Sequence, residues 1–188
     1  MGTIVAFENV TLDGVTQDPT AEEGIATSDW RDALSASDLA AWGKMITDDA
    51  LGAQALLLGR RSYEYFSSRY PSRTGPLADQ MNSLPKYVVS TTLTEPGWNT
   101  KVIRGDVVRA VSALREEFDG EIRVYASTQL LRTLFAHDLV DQVRLAIFPV
   151  VMGGGERLFG QTSNQRDLRM IDSQRVGDAL VQLTYATH

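Results

Sequence analysis

Between Phe148 and Phe159 an apolar run ends at Pro149, resumes as Val150-Val151, and breaks after Met152 into Gly153-Gly154-Gly155, followed by Glu156-Arg157-Leu158. Three adjacent glycines carry a large backbone-entropy cost, so a chain keeps them where backbone turns sharply or lies against a ligand. Two other junctions pass from an apolar strand into a helix start. They are Leu56-Leu57-Leu58-Gly59-Arg60-Arg61-Ser62-Tyr63 and Val124-Tyr125-Ala126-Ser127-Thr128-Gln129-Leu130. Together the three predict an α/β sheet whose strand ends surround a phosphate-bearing cofactor.

The remaining pattern supports that sheet. Residues 3–10 are β-branched and read as a strand, closed by the turn Leu12-Asp13-Gly14. Residues 15–30 are polar and read as a surface loop. Ser37 and Asp38 can cap a helix through Leu39, Trp42, Met45 and Ile46. Strands are expected at 53–58, 86–90, 122–125 and 143–148. Helices are expected from Arg60 or Arg61 to before Pro71, from Asp106 to Asp119, and over 128–136. Residues 70–85 read as a loop and 94–101 as a turn-rich connector. The tail offers two strand-like runs, 166–175 and 179–186, around Val176-Gly177-Asp178, which is a hairpin signal. Strands alternating with helices, then a hairpin, predict a mostly parallel sheet with helices on both faces and an antiparallel C-terminal edge. One domain over residues 1–188 is expected.

Composition removes several chemistries. The 188 residues contain no cysteine, which excludes disulfides, thiolate zinc sites and cysteine nucleophiles. Two histidines, His137 and His188, do not make a multi-histidine metal centre, and no metal is expected. A net charge of −6 argues against nucleic acid as the main partner, since phosphate backbones need clustered Lys and Arg. No apolar run approaches bilayer length, so no membrane partner is expected, and the strand expected from residue 3 is not preceded by a basic n-region or a cleavage site, so no leader is expected. A cytoplasmic protein is expected.

In order and spacing the motifs converge on a family. They are Leu12-Asp13-Gly14, Leu58-Gly59-Arg60-Arg61-Ser62-Tyr63-Glu64, Lys86-Tyr87-Val88-Val89-Ser90, Val124-Tyr125-Ala126-Ser127, Leu139-Val140-Asp141-Gln142-Val143-Arg144-Leu145 and Pro149–Phe159. The chain resembles the dihydrofolate-reductase-like superfamily. Within it, the chain is most similar to the reductase domain of bacterial riboflavin-biosynthesis deaminase-reductases and their stand-alone relatives. The resemblance implies a three-layer α/β/α fold with a mostly parallel eight-stranded sheet and a C-terminal antiparallel hairpin. It also implies NADPH as hydride donor, a small heterocyclic or ribosyl substrate, and a homodimer.

Each candidate site residue has its own reason. Gly59-Arg60-Arg61-Ser62 opens a helix, where N–H groups and the helix dipole favour an anion and arginine adds a planar phosphate-binding fork. The resemblance places the 2′-phosphate of NADPH on Arg60 and Ser62. It places the adenine end beside Ser90 and Thr91, and the pyrophosphate on Ser127, Thr128, Gln129 and Leu130. Relatives usually carry glycine where this chain has Ala126, and a Cβ there restricts positive φ. Gly153 and Gly154 are expected against the cofactor and Gly155 against the substrate. Asp13 and Glu156 are the candidate catalytic carboxylates, and Trp30 the candidate wall of the substrate pocket. Turn geometry alone also explains Asp13, and core packing explains Trp30. Asp38 superficially matches the carboxylate by which folate reductases hold a pteridine. His137 is expected to be a helix-end cation.

The expected function is therefore an NADPH-dependent reductase of the riboflavin-pathway type, acting on 5-amino-6-(5-phosphoribosylamino)uracil or a similar compound. Two alternatives stand beside it. One is a dihydrofolate reductase that depends on Asp38. The other is a non-catalytic nucleotide-binding module of the same fold, suggested by Ala126.

Overall fold

Eight strands hydrogen-bond in a single sheet in a computed structural model that describes residues 1–160 and 165–188. In chain order the elements are β1 (Thr3–Thr11), a short 3-10 turn (Trp30–Ala33), α1 (Ala36–Leu51), β2 (Ala53–Gly59), α2 (Arg60–Ser67), α3 (Pro76–Ser83) and β3 (Lys86–Val89). They continue with β4 (Thr100–Ile103), α4 (Val107–Glu116), β5 (Glu121–Tyr125), α5 (Thr128–Ala136), β6 (Gln142–Phe148), β7 (Arg169–Val176) and β8 (Leu180–Ala186). The strand order is β4-β3-β2-β5-β1-β6-β8-β7. The sheet is mostly parallel and ends in antiparallel strands, with helices packed around it, as expected.

The chain forms two compact units. The first comprises Met1–Ala6 and Ile46–Asp141. Its centre is the β2 run Leu56, Leu57 and Leu58, fully buried with Val88, Ile122 and Val124 of the neighbouring strands. Parallel strands with helices on their faces read as continuous apolar runs for this reason. A buried ion cluster sits in the same unit. Arg123, with no exposed surface, meets the Asp49 carboxylate at 3.0 Å, and Tyr125 donates to the same carboxylate at 2.7 Å. Lys86 is likewise fully buried. Its Nζ donates to the Asn82 carbonyl at 3.0 Å and lies 4.1 Å from the centre of the Trp98 ring.

Two elements differ from the sequence reading. The expected 70–85 loop contains α3, which starts with Pro76 in its first turn and buries Ala78 and Met81 one turn apart. The expected 94–101 connector ends in β4, four residues long and paired in parallel with β3.

The second unit comprises Phe7–Met45 and Gln142–His188. Its core gathers Trp30 and Trp42 around Phe148, with ring centres 5.9 and 6.0 Å from that ring. The expected surface loop 15–30 is folded around a buried carboxylate. Asp18 accepts from the amides of Glu23, Ile25 and Ala26 at 2.8–2.9 Å. These bonds satisfy backbone that an irregular segment would otherwise leave unpaired.

Candidate functional site

Register sets the geometry in the first unit. Gly59 pairs with Val89, and Val89 with Ile103, so the C-terminal ends of β2, β3 and β4 lie in one row. The residues that follow each end open a cleft of about 290 Å³. Val89 and Ile103 line it together with Arg60, Thr91, Thr92 and Arg104. Ligands of open α/β sheets bind at this edge, outside the carboxyl ends of the strands. Arg60 is held by the Thr92 hydroxyl at 2.5 Å and by Glu64 one helical turn on, at 2.9 Å. Arg104 is fixed through the Leu93 carbonyl at 2.5 Å. Two guanidinium groups and two hydroxyls around one cleft suit a phosphate.

Beside the cleft, α2 and α5 both begin without a side-chain cap, at Gly59 and Ser127. Ser127 is at the N-cap position, but its hydroxyl does not cap. It accepts from the Gly59 amide at 3.0 Å and donates to the Tyr125 carbonyl at 3.0 Å. Ala126 and Ser127 take left-handed backbone angles, with φ of 50° and 68°. The Cβ of Ala126 therefore has not prevented the turn that glycine would make easily.

The other residues expected at this end are not all brought to the cleft. Arg61 is exposed on α2 and does not line it. Ser62 is buried in α2. Ser90 lines the cleft, yet its hydroxyl closes the strand end by accepting from the amides of Thr92 and Leu93 at 3.2 and 3.0 Å. Thr128 and Gln129 form the first turn of α5, while Leu130 is buried beneath it. The sequence reading missed Thr92 and Arg104. The signal for Arg104 was the apolar pair Val102-Ile103 just before it, the mark of a short strand.

In the second unit Asp13 ties the first turn to the glycine loop. Its carboxylate accepts from the Thr11 hydroxyl at 2.6 Å and from the amides of Met152 and Gly153 at 3.1 and 2.8 Å. These bonds, led by the Thr11 hydroxyl, hold its pKa at about 2. At neutral pH Asp13 is an ionised acceptor. Glu156 is fixed through its backbone, its amide donating to Gln17 Oε1 at 3.0 Å and its carbonyl accepting from the Thr16 amide at 2.9 Å. Gly155 has φ 113°, and a Cβ there would lie 2.9 Å from Val15 Cγ1, so packing against the first loop requires it. Gly153 has φ 74°, whereas Gly154 faces open space in an ordinary conformation.

Trp30 is 2% exposed, and among the described residues its indole N–H has no acceptor. Asp38 is fully engaged. It accepts from the Ser35 hydroxyl at 2.6 Å and from the Asp178 amide at 2.6 Å, and these bonds lower its pKa. One group escaped the sequence reading altogether. Glu8, on β1, is 4% exposed, has an oxygen without a partner among the described residues, and is pushed up to a pKa of about 8 by burial. Its signal was a lone acid in an apolar strand.

The family model for the RibD C-terminal domain matches residues 2–182, and this chain belongs to that family. Two relatives come from Bacillus subtilis (strain 168). The uncharacterized protein YyaP is 28% identical over 144 residues, covering 74% of this chain and 77% of that protein. The uncharacterized protein YwjB is 32% identical over 78 residues, covering 41% and 44%. Among solved structures, a protein assigned to riboflavin biosynthesis from Shewanella sp. PV-4 has a TM-score of 0.73 at 23% identity, over 99% of both chains. Dihydrofolate reductase from Enterococcus faecalis, complexed with NADP(H), has a TM-score of 0.63 at 12% identity, over 98% of this chain and 96% of that one. Acinetobacter baumannii RibD has a TM-score of 0.67 at 11% identity, and the match spans 58% of its length. These structural likenesses establish a dihydrofolate-reductase-like α/β fold, and function has to be argued from the site.

Proposed function

We propose that this protein is an NADPH-dependent reductase of a small heterocyclic substrate, of the riboflavin-pathway type. The observation that carries the reading is the cleft lined by both Arg60 and Arg104, which follow β2 and β4, the two parallel neighbours of β3. Its donor set fits the 2′-phosphate of the cofactor. Arg60, Thr91, Thr92 and Arg104 would hold that phosphate, with Ser90 shaping the turn beneath them. The starts of α2 and α5, at Gly59 and Ser127, would face the pyrophosphate with N–H groups and the positive ends of their dipoles.

When bound, the dihydronicotinamide supplies the hydride, and the protein supplies orientation. In the second unit Asp13 would act by holding the glycine loop in place. Gly154 would allow close approach of a ligand, Glu156 would orient the substrate, and the Trp30 indole would donate to a substrate acceptor. By likeness to the family, the acceptor is a phosphoribosyl-aminopyrimidine whose ribose is reduced to a ribityl chain. The folate alternative is disfavoured because both oxygens of Asp38 already accept hydrogen bonds from the protein. The non-catalytic alternative loses its motive because Ala126 adopts the left-handed turn.

Thermal unfolding with NADPH, and with NADH as control, tests the cofactor. A ligand that binds the native state raises the melting temperature by mass action, by the equivalent of about 2.7 kcal/mol at a hundredfold excess over Kd. A rise with NADPH that exceeds the rise with NADH supports the reading. Equal responses, or none, overturn it. NADPH oxidation in the presence of the ribosylaminopyrimidine then tests the substrate.

A further inference from the structure

Two consecutive residues between β3 and β4 hold a left-handed backbone without being glycine. Trp98 has φ 55° and Asn99 has φ 53°. Such angles cost free energy and persist only where the surroundings over-determine them. Trp98 is held in that way. Its indole N–H donates to Asn82 Oδ1 at 2.7 Å, its ring stacks on Tyr70 with centres 6.2 Å apart, and Lys86 Nζ lies 4.1 Å from the ring centre. Asn99 donates to the carbonyls of Ser83 and Leu84, each at 3.3 Å. The chain is therefore fixed where it enters β4 at Thr100.

From Trp98 back to Ser90 the same segment supplies a wall of the cleft. Thr92 accepts from Arg60, and the Leu93 carbonyl accepts from Arg104. Between these residues and Trp98, the stretch Thr94, Glu95, Pro96 and Gly97 is exposed. Tyr63, on α2, reaches across to it. Its hydroxyl accepts from the Gly97 amide at 2.9 Å and donates to the Gly97 carbonyl at 3.3 Å. Arg60 and Tyr63 are three residues apart on one helix, so they share a face. Helix α2 thus grips the segment at two points, Thr92 and Gly97. Tyr63 is 5% exposed and does not line the cleft. Packing against Trp98, whose ring centre is 6.4 Å away, would need only the Tyr63 ring, whereas the hydroxyl goes to the segment.

We infer that Tyr63 is a positioning residue for the phosphate cleft. Its hydroxyl fixes Gly97 against α2. That holds the limb carrying Thr92 and Leu93, and through it the spacing of the Arg60 and Arg104 guanidinium groups. A loop pinned close to the residues it presents has less freedom to lose when a ligand orders it. The benefit falls on a ligand that needs both arginines at once, which is the 2′-phosphate that separates NADPH from NADH. The inference rests on the reductase reading.

Titration calorimetry of the parent and of Tyr63→Phe, each with NADPH and with NADH, tests it. Phenylalanine keeps the ring beside Trp98, and water can satisfy the exposed Gly97 amide, so the variant should stay folded, which circular dichroism checks. The Kd for NADPH should rise about 2- to 10-fold, the range of one neutral hydrogen bond, while that for NADH stays within about twofold. A merely structural role weakens both nucleotides alike. That parallel loss, or no loss, overturns the inference and leaves the reductase reading intact as long as the parent prefers NADPH. A parent without that preference overturns both. Amide hydrogen exchange in the parent needs no variant. The Gly97 amide should exchange at least about tenfold more slowly than in an unstructured chain, and exchange at the free rate overturns the inference.

Discussion

Ser127 joins the ends of two parallel strands to each other. Its hydroxyl accepts from the Gly59 amide and donates to the Tyr125 carbonyl, each at 3.0 Å, while its own backbone is left-handed. One side chain thereby holds the starts of α2 and α5 in register. The amide of Gly59 would otherwise be one of the orphan donors of a helix start.

Ser127→Ala removes both bonds and keeps a Cβ at φ 68°. Leaving a partly buried donor unpaired costs about 1–3 kcal/mol. In a chain of this size each kcal/mol lowers Tm by about 2–4 °C. Ser127→Gly relieves the backbone but still loses the hydroxyl. Calorimetry should therefore find both variants less stable than the parent, with the alanine variant lower. Parity of the alanine variant with the parent would refute the role assigned to the hydroxyl.

Ala126 gives an opposite expectation. At φ 50° an alanine pays a steric cost that glycine avoids, about 1 kcal/mol, partly offset by glycine's freedom in the unfolded chain. Ala126→Gly should leave Tm unchanged or slightly raised. Ala126→Val places a β-branched side chain at positive φ and should lower Tm clearly. If valine is tolerated as well as glycine, the left-handed turn is not what the chain adopts in solution.

Much of the fold was legible in the residues, and what escaped has physical causes. Leu56-Leu57-Leu58 and Ile122–Tyr125 announce buried strands because both of their faces are covered. Thr128–Ala136 shows a helical apolar stripe. β4 was missed because four residues with a half-exposed pattern carry little periodic signal, and Arg104 was lost with it. α3 was hidden by Pro76, which reads as a breaker though it also suits a first helical turn. At the site, the position of Arg60 at the cleft was legible because a strand-end glycine and a helix start flank it in sequence. The bridging role of Ser127 was not, since it depends on how close β2 and β5 come in space. Nor was the engagement of Asp38, whose partner Asp178 is 140 residues away.

Arg104 supplies a test of the cofactor reading that the sequence alone did not suggest. Hydrogen bonds to charged groups contribute about 1.5–3 kcal/mol each. Arg104→Ala should therefore weaken NADPH binding about 10- to 150-fold and leave NADH binding little changed. Titration calorimetry with both nucleotides reads the difference. Equal losses for the two would place Arg104 outside the phosphate site.

Glu8 predicts how stability varies below neutrality. Its folded pKa of about 8 lies above the ordinary carboxyl value of 4.5, so between these the folded chain binds the proton and the unfolded chain does not. Stability from this group is then greatest below about pH 4.5 and is lost as pH rises toward 8. Glu8→Gln keeps the shape without the titration. In urea denaturation the variant should show a flatter dependence between about pH 5 and 8, and should exceed the parent at the upper end. An unchanged slope would mean that Glu8 is ionised and solvated in the native protein.

Lys86 acts in the next window with the opposite sign. Burial lowers its amine from 10.5 to about 8, so from about pH 8 upward the unfolded chain holds a proton that the folded chain has released. More protons on the unfolded state make stability rise with pH. The rise should be visible from about pH 8 to about 9.5, below the range where tyrosines titrate. Lys86→Met keeps the apolar stem against Trp98 and removes the charge, and its denaturation midpoint should not follow that rise. The variant also loses the bond to the Asn82 carbonyl, which lowers its stability at every pH alike, so the slope and not the level decides. A parent protein whose midpoint falls steadily from pH 8 would show that the ammonium, paired to that carbonyl and to the Trp98 ring, is held rather than expelled by the interior.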